Sequence, residues 1–250
     1  MSREKKYRIL VINPIVASVF DRFDEQHLQA RAGSGFKIEV ASLKHGVETI
    51  EGEYDDALSA PYVVDKVLEA QAKHYDAAII DCFLDPGLGA AREASDIVVV
   101  GPGEASMLMA MTLGDTFSIM STSTEKYRRY MPTTRVRQLG LSDRFVSEWG
   151  AGITVASIPE HTNKIAAQLV SAAKEIEKQD GPDVLILGCT GLSRVADRVA
   201  QEIEIPLVDP SIAALSMTQA LLLSGFKHSR RSYPKPAKKT RKIPSASFLR

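Results

Sequence analysis

Short apolar runs alternate with longer stretches of mixed polarity along the whole chain. The runs are rich in Val, Ile and Leu, which is typical of strands that a parallel sheet buries on both faces. Strands are predicted at 8–12, 36–41, 77–80, 97–100, 117–120, 184–187 and 206–208. Helices are predicted at 15–31, 55–74, 87–94, 103–113, 160–178, 191–203 and 211–224. This alternation indicates βαβ units and therefore an α/β protein built on parallel sheets.

Two stretches need a separate interpretation. Residues 133–158 show neither the apolar spacing of a helix nor that of a strand, and they contain loop-forming glycines. No helix or strand is therefore predicted there. The set Met107, Met109 and Met111 is interpreted as core packing, because Met fills irregular gaps in apolar cores.

The chain also repeats itself weakly. In each half an Asp opens an apolar strand and a Cys follows the Asp by six positions, in segments 76–82 and 183–189. Each half begins with a strand that ends in polar residues, Asn13 in one half and Ser121 in the other. The repeat predicts two similar α/β lobes related by a pseudo-twofold axis, with the active site in the crevice between them. The expected divisions are a first lobe of residues 1–100 and 210–226, a second lobe of residues 101–209, and a basic C-terminal tail of residues 227–250.

Reactive side chains are predicted at the carboxyl ends of the strands, where open α/β sheets bind ligands. Asn13, Cys82, Ser121, Thr122 and Cys189 all fall there. A lone Cys in a strand is more often a small buried hydrophobe than a catalyst. Equivalent placement in both halves favours catalysis, because the two thiols would present one sulfur to each side of a bound carbon. For Asn13 a turn role, and for Ser121 and Thr122 a helix cap, remain open beside substrate binding.

The residues after each sulfur are predicted to bind the substrate. Phe83 follows Cys82, and Thr190 and Gly191 follow Cys189. Small residues at such turns let the carbonyl oxygens of a substrate approach backbone N–H groups. Thr190 is also predicted to cap the helix from 191, whose positive end would favour the thiolate of Cys189.

Composition places the chain among ordinary globular proteins. Its 250 residues are 44% apolar and 25% charged, and no apolar run approaches a membrane span of roughly 18 residues. The two cysteines cannot form a disulfide framework, so a reducing cytoplasm is expected. The five histidines lack ligand spacing and no phosphate-binding glycine loop follows a strand, so neither a metal nor a cofactor is expected. Gly101-Pro102-Gly103 is interpreted as shaping the passage between the halves.

The C-terminal tail carries a concentrated positive charge. Nine Lys and Arg residues and no acid follow Asp209, although the whole chain has 31 residues of each sign. Such a tail could contact nucleic acid, a membrane surface or a neighbouring subunit. Nucleic-acid binding is not expected, because only Tyr233 and Phe248 could stack on bases. We expect residues 227–236 to pack on the body or on a second subunit, and the rest to be solvated.

Six segments together carry a family resemblance. They are Ile12-Asn13-Pro14, Ile50-Glu51-Gly52-Glu53-Tyr54-Asp55, Cys82-Phe83-Leu84-Asp85-Pro86-Gly87-Leu88, Ala91-Arg92-Glu93, Gly188-Cys189-Thr190-Gly191-Leu192 and Val208-Asp209-Pro210. Within residues 8 to about 225 the chain resembles the aspartate, glutamate and hydantoin racemase superfamily, specifically the hydantoin racemase branch that includes allantoin racemases. One departure is Ile15, where that branch usually has an Asn. The resemblance implies a cofactor-independent racemase that uses two cysteines on two similar α/β lobes.

The implied reaction removes a proton beside a carbonyl group. Hydantoins and related cyclic ureides carry such a C–H, and backbone N–H groups can stabilise the enolate. The thiolate of Cys82 or Cys189 would take the proton, and the opposite thiol would return one to the other face. Asn13 with Ser121 or Thr122 would hold ring oxygens and nitrogens. We expect a small-molecule substrate and a homo-oligomer without membrane attachment.

Three alternatives stay open. A maleate-type isomerase and an Asp/Glu amino-acid racemase of the same superfamily act on dicarboxylates. Two carboxylates need more cations in a pocket than a neutral ureide does, so the charge of the pocket discriminates these substrates. A non-catalytic small-molecule binding protein is the third alternative, and it would have no need of two thiols.

Overall fold

A computed structural model of the protein describes residues 6–122 and 131–240. Residues 1–5 of the expected first lobe and residues 241–250 of the expected tail lie outside this range. In the described part of the chain, eight β-strands alternate with eight α-helices, and the strands form two four-stranded parallel sheets. The predicted α/β class with two parallel-sheet lobes is confirmed.

The first sheet has the strand order β2-β1-β3-β4. Its strands are β1 (Tyr7–Asn13), β2 (Phe36–Ser42), β3 (Ala77–Ile80) and β4 (Val98–Val100). The helices that follow them in turn are α1 (Asp21–Ala32), α2 (Glu53–Ala72), α3 (Leu88–Ala94) and α4 (Pro102–Leu113).

The second sheet repeats this arrangement, with the order β6-β5-β7-β8. Its strands are β5 (Phe117–Ser121), β6 (Phe145–Gly150), β7 (Val184–Leu187) and β8 (Leu207–Val208). Their helices are α5 (Met131–Gln138), α6 (Thr162–Gln179), α7 (Ser193–Ala200) and α8 (Pro210–Leu223). The strands β5 to β8 therefore correspond in order to β1 to β4, and the helices α5 to α8 correspond to α1 to α4. The repeat in the sequence reflects this repeat in the structure.

One apolar core joins the two sheets. Ile9 and Val11 of the first sheet belong to the same buried cluster as Phe117 and Ile119 of the second. The helices α4 and α8 contribute to that cluster between the sheets, and their sequences are apolar on nearly all sides, as a helix covered on all sides requires. Met107 is fully buried in it, which confirms its interpretation as core packing.

The outer face of each sheet has its own core. Side chains alternate along a strand, so Leu10 and Ile12 point away from Ile9 and pack in the cluster that includes α2 and α3. The corresponding outer cluster of the second sheet contains Leu169 of α6 and Val199 of α7. Because both faces of the central strands are covered, their sequences are continuous apolar runs.

Two elements were not predicted from the sequence. Strand β6 is only half-buried, so its sequence lacks a clear apolar signal. Helix α5 is short and carries Arg135 and Arg137. The helix predicted at 15–31 begins only at Asp21, because the chain before it bonds to the loop after β2, with Leu43 N–H donating to Ile15 O at 2.9 Å.

The helices α4 and α8 cross between the repeats. Helix α4 contacts β5, β7 and β8, whereas α8 contacts α1, β3 and β4. These contacts support our proposal that residues 101–209 form the second lobe and that residues 210–226 return to the first.

The first part of the basic tail packs on the body, as expected from the sequence. The N–H of Val99 in β4 donates to His228 Nε2 at 2.8 Å, and Arg92 donates to the hydroxyl of Tyr233 at 3.1 Å. Within residues 6–122 and 131–240, no helix is long and apolar enough to cross a membrane.

Candidate active site

A cavity of about 680 Å³ opens between the sheets at the carboxyl ends of β1, β3, β5 and β7. Cys82 and Cys189 both line it, and each is a free, half-buried thiol. Residues 49–55 and 152–155 also line this cavity. The predicted crevice is therefore present, with one thiol from each repeat in its wall.

The strand registers show that the two cysteines are equivalent. Ile12 of β1 is paired with Ile80 of β3, and Met120 of β5 is paired with Leu187 of β7. Each Cys follows two residues after the paired residue of its strand. The pseudo-twofold relation of the sheets thus brings both sulfurs to the same end of the molecule.

Cys82 lies in an irregular turn between β3 and α3, which we call the Cys82 turn (residues 82–87). Asp85 has a left-handed φ of 54°, and its N–H donates to Cys82 O at 3.0 Å. The buried Asp85 carboxylate accepts hydrogen bonds from the backbone N–H groups of Gly103 and Glu104, both at 2.9 Å. These N–H groups belong to the first turn of α4, where they have no partner within the helix. The Cys82 turn is therefore held by the start of another helix.

Glycine at the start of α4 permits this close approach. A Cβ atom on Gly103 would lie 2.1 Å from Phe83 O, and one on Gly101 would lie 2.3 Å from Asp85 Oδ1. Gly101-Pro102-Gly103, interpreted from the sequence as a passage between the halves, begins α4 and accommodates the Cys82 turn.

Cys189 lies at the start of a 3₁₀-helix, Thr190–Leu192, which leads directly into α7. The backbone N–H groups of Gly191 and Leu192 and the hydroxyl of Thr122 each lower the pKa of Cys189. These donors belong to a 3₁₀-turn and not to the start of an α-helix, and the expected preference for a thiolate at Cys189 stays a prediction.

Thr190 does not cap the following helix. In the described part of the chain, no side chain caps Thr190–Leu192 or α7. The Thr190 hydroxyl instead donates to Asp81 O at 3.0 Å. The predicted cap was wrong because the backbone enters the helix at Cys189, which leaves the hydroxyl free to reach the other lobe. Thr190 consequently ties the two thiol-bearing strand ends together.

Burial opposes the charged form of both thiols. It raises the pKa of Cys82 well above its usual value and that of Cys189 to about 11. The N–H of Leu84 partly offsets this effect at Cys82, and the donors of Gly191, Leu192 and Thr122 partly offset it at Cys189. A charge on Cys189 further raises the pKa of Cys82, so ionisation of one thiol disfavours ionisation of the other.

Asn13 is the last residue of β1 and lies in the cavity wall. Its Nδ2 donates to Asp21 Oδ1 at 2.8 Å and to Asp24 Oδ2 at 3.0 Å. Both amide hydrogens are therefore engaged, and Oδ1 is the atom left to accept a hydrogen bond from a ligand. Burial raises the pKa of Asp24 to about 6, although the bond from Asn13 lowers it.

The remaining predicted residues line the same cavity. Phe83, Ser121, Thr122, Thr190 and Gly191 all contribute to its wall. Ser121 is buried and donates to a carboxylate oxygen of Glu148 at 3.2 Å. The structure thus brings all eight predicted site residues together, while their roles toward a substrate stay predictions.

Three acids of the wall were missed in the sequence, namely Asp24, Asp81 and Glu148. Asp81 directly precedes Cys82, is 5% exposed, and accepts a hydrogen bond from Ser211 Oγ at 2.9 Å. Burial and the nearby Asp24 raise the pKa of Asp81 well above its usual value. The only available signal was its position beside Cys82. Glu148 lies in β6, where no element was predicted.

The described wall is rich in carboxyl groups. Its acids are Asp24, Glu51, Glu53, Asp55, Asp81 and Glu148. Among the described residues of the wall there is no Lys, Arg or His. No group of three or more His, Cys, Asp or Glu side chains in this part of the chain could hold a metal ion.

A family model connects this site with known proteins. The model described as Asp/Glu/Hydantoin racemase matches residues 9–218, which include both repeats and both cysteines. The chain belongs to the Asp/Glu/hydantoin racemase family. The resemblance found in the sequence, and the prediction of a racemase and hence an isomerase, are confirmed by this family and its members named below.

Individual racemases match nearly the whole chain. A hydantoin racemase from Paenarthrobacter aurescens is 33% identical over 93% of this chain and 98% of its own length. A hydantoin racemase from Pseudomonas sp. (strain NS671) is 29% identical over 93% of both. The solved structure of an allantoin racemase from Klebsiella pneumoniae has a TM-score of 0.90 and 27% identity, covering 98% of this chain and 99% of that one.

Proposed function

We propose that the protein racemises 5-substituted hydantoins or related cyclic ureides such as allantoin, by proton transfer between Cys82 and Cys189. The observation that carries the proposal is the equivalent position of these thiols in the two repeats, in the wall of one cavity. The similarity to hydantoin racemases and to an allantoin racemase supports the substrate class.

The reaction needs one thiolate and one thiol. The thiolate removes the proton from the ring carbon beside the carbonyl, and the electron pair of the C–H bond forms an enolate. The opposite thiol then gives its proton to the other face of that carbon. The first cysteine ends as a thiol and the second as a thiolate, so the reverse reaction uses the same pair with exchanged roles.

The electrostatics of the pair suit this requirement. Charge on Cys189 raises the pKa of Cys82, which favours a state with one charge over a state with two. Donors from Gly191, Leu192 and Thr122 make Cys189 the thiol that ionises more readily. We therefore propose that Cys189 is the first of the two thiols to ionise and that Cys82 stays protonated when it does.

The other wall residues would hold the ring. Asn13 Oδ1 would accept a ring N–H, because the amide hydrogens of Asn13 are already engaged. The hydroxyl oxygens of Ser121 and Thr122, whose hydrogens point to Glu148 and to Cys189, would accept ring N–H groups, and Phe83 would pack against the ring. Thr190 and Gly191 would bring the backbone of the 3₁₀-turn to the substrate beside Cys189.

The charge of the wall supports a neutral ring over a dicarboxylate. The described wall contains six acids and no cation, so its described residues offer two substrate carboxylates no group of opposite charge. A neutral ureide has N–H groups that can donate hydrogen bonds to the carboxyl oxygens of the wall. This favours the hydantoin class over Asp, Glu and maleate.

We further propose a cytoplasmic homo-oligomer that needs no cofactor. Two free, half-buried thiols suit a reducing compartment. Exposed Leu113, Leu223 and Phe226 are suited to contact a second copy. Enolate formation needs bases and hydrogen-bond donors, and the described residues of the cavity supply both.

Polarimetry on a panel of enantiopure substrates tests the proposal. The panel comprises several 5-substituted hydantoins and allantoin, with D-glutamate and D-aspartate as comparison substrates. Maleate is achiral, so its conversion to fumarate is followed by proton NMR. We expect loss of optical rotation with at least one cyclic ureide and none with the amino acids. Turnover of the dicarboxylates alone would contradict the proposed substrate class, and binding of ureides without turnover would indicate a binding protein.

A further inference from the structure

Residues 227–236 lie across the end of α3 and the edge of the first sheet, and we call them the C-terminal strap. Arg230 anchors it: its guanidinium donates to Arg92 O at 2.9 Å and to Asp96 Oδ1 at 2.7 Å. These groups lie in α3 and in the loop that leads to β4. The C-terminal strap therefore binds the segment that follows the Cys82 turn.

Two further side chains of the C-terminal strap reach inward. His228 Nε2 accepts the N–H of Val99 at 2.8 Å, so the strap satisfies a backbone donor at the edge of the sheet. The Tyr233 hydroxyl accepts from Arg92 Nη1 at 3.1 Å, and the His228 and Tyr233 rings pack edge to face with centroids 5.8 Å apart.

Arg92 connects the C-terminal strap to the start of α4. Its buried guanidinium forms a two-pronged pair with Glu104, at 2.7 and 3.0 Å. The backbone N–H of Glu104 donates to Asp85, whose own N–H closes the turn on Cys82. A continuous path of hydrogen bonds thus runs from Tyr233 through Arg92, Glu104 and Asp85 to Cys82.

Cys189 is held in a different way. It leads directly into the 3₁₀-turn Thr190–Leu192 and then α7, so its position is fixed by regular helical bonds of its own repeat. The hydrogen bonds described above for the C-terminal strap all go to the first lobe. The strap therefore adds an asymmetry between two thiols that occupy equivalent positions in the two repeats.

We propose that the C-terminal strap positions Cys82 for proton transfer, with Tyr233 and Arg230 as positioning residues that act through Arg92 and Glu104. The proposal rests on the proposed function, because it assigns the strap a task in a two-cysteine reaction. Its physical basis is that a misplacement of about 1 Å at a reacting group can lower a rate roughly 100-fold.

The test compares the reactivity of each thiol separately. Tyr233→Phe, Arg230→Gln and a chain ending at Phe226 are made in a Cys189→Ser background, which leaves Cys82, and in a Cys82→Ser background, which leaves Cys189. Iodoacetamide alkylation is followed against pH in each. The same changes in the otherwise unaltered protein are assayed for racemisation, with kcat and KM determined separately.

In the strap variants we expect Cys82 to be alkylated faster while kcat for racemisation falls. A loosened turn admits water, which lowers the raised pKa of Cys82 toward its usual value and accelerates its alkylation at neutral pH. Racemisation should nevertheless fall, by about fivefold in kcat for Tyr233→Phe from the loss of one hydrogen bond and by about 100-fold for the chain ending at Phe226. KM should change little, since the strap does not line the cavity. Alkylation of Cys189 should not change.

A chain ending at Pro236 is the matched control, because it keeps the C-terminal strap and removes the rest of the tail. It should match the full chain in kcat and in the reactivity of both thiols. Should the chain ending at Phe226 fail to fold by circular dichroism, the two point variants decide.

Two results would overturn the proposal. Equal acceleration of both alkylations would show general loosening, and unchanged Cys82 reactivity with full kcat would show that the strap plays no part. The alkylation measurements require no turnover. If the protein racemised no ureide, the proposed function would be refuted, and alkylation would still decide whether the strap positions Cys82.

Discussion

The two thiols occupy equivalent positions but differ in their hydrogen bonds. Three donors reach Cys189 and one reaches Cys82, and burial raises the pKa of both. The difference arises because Cys189 begins a helical turn whereas Cys82 lies in an irregular turn held by Asp85. Two-sided proton transfer uses such a difference, since it needs one thiolate and one thiol at the same time.

Replacement of either thiol should stop racemisation. For Cys82→Ser and for Cys189→Ser we expect a loss of roughly 10³-fold in kcat, because each removes one of two acid–base groups. In D₂O each variant should still exchange the ring proton of one enantiomer only, as one base remains. Polarimetry and proton NMR measure the two quantities, and circular dichroism checks the fold. Full racemase activity in either variant would exclude the two-base mechanism.

The hydroxyl of Thr122 should set the acidity of one thiol only. Thr122→Val removes a donor to the Cys189 sulfur, so the pKa of Cys189 should rise further above about 11. Alkylation of Cys189 near pH 9 should therefore slow by about threefold to tenfold, with Cys82 unaffected. Thr112→Val, whose hydroxyl bonds within α4 at the surface, is the matched control. Slower alkylation of both thiols would contradict the assignment.

The sequence was enough to predict which residues form the site, but not which residues they hydrogen-bond to. Cys82 and Cys189 were found from the repeat, because equal spacing in two halves is visible without a structure. The bond of Thr190 to Asp81 and the hold of α4 on Asp85 were not foreseen. Both join segments distant in sequence, and only the packing of the two repeats brings them together.

Among the elements, the central strands were predictable because a sheet covered on both faces needs continuous apolar runs. The strand β6 was not predicted because it is half-buried and lacks a continuous apolar run, and helix α5 was not predicted because it is short and polar. The stops and starts of helices were less certain, as shown by α1, which begins six residues after its predicted start at residue 15. There the chain bonds to the loop after β2 in place of an additional helical turn.

The start of α4 should tolerate no side chain at Gly103. A Cβ there would lie 2.1 Å from Phe83 O, so Gly103→Ala should displace the Cys82 turn and lower kcat by about 100-fold. Gly89→Ala is the matched control: it lies in α3 with open space around its Cβ position, and it should stabilise the protein by about 0.5–1 kcal/mol. Racemisation assays and urea denaturation measure both effects. Full activity of Gly103→Ala would show that the turn does not depend on this contact.

At the scale of the whole molecule, the two repeats share a core and do not form separate bodies. The helices α4 and α8 lie between the sheets, and each contacts strands of the lobe beyond its own repeat. The lobes were predicted from the repeat in the sequence. Their common core could not be predicted. The helices α4 and α8 are apolar on nearly all sides, which shows that they are buried but not which sheets cover them.

This shared core leads us to expect that both lobes unfold in one transition. Trp149, the single tryptophan, lies in β6 and reports on the second sheet by fluorescence, while far-UV circular dichroism reports on both lobes. The two urea transitions should coincide. Met107→Ala, between the sheets, should destabilise the protein by about 2–5 kcal/mol and shift both signals equally. Leu169→Ala, in the outer core of the second sheet, distinguishes the alternatives. If the lobes unfolded independently it would shift the Trp149 signal and leave part of the dichroism transition in place, whereas a shared core requires both signals to move together.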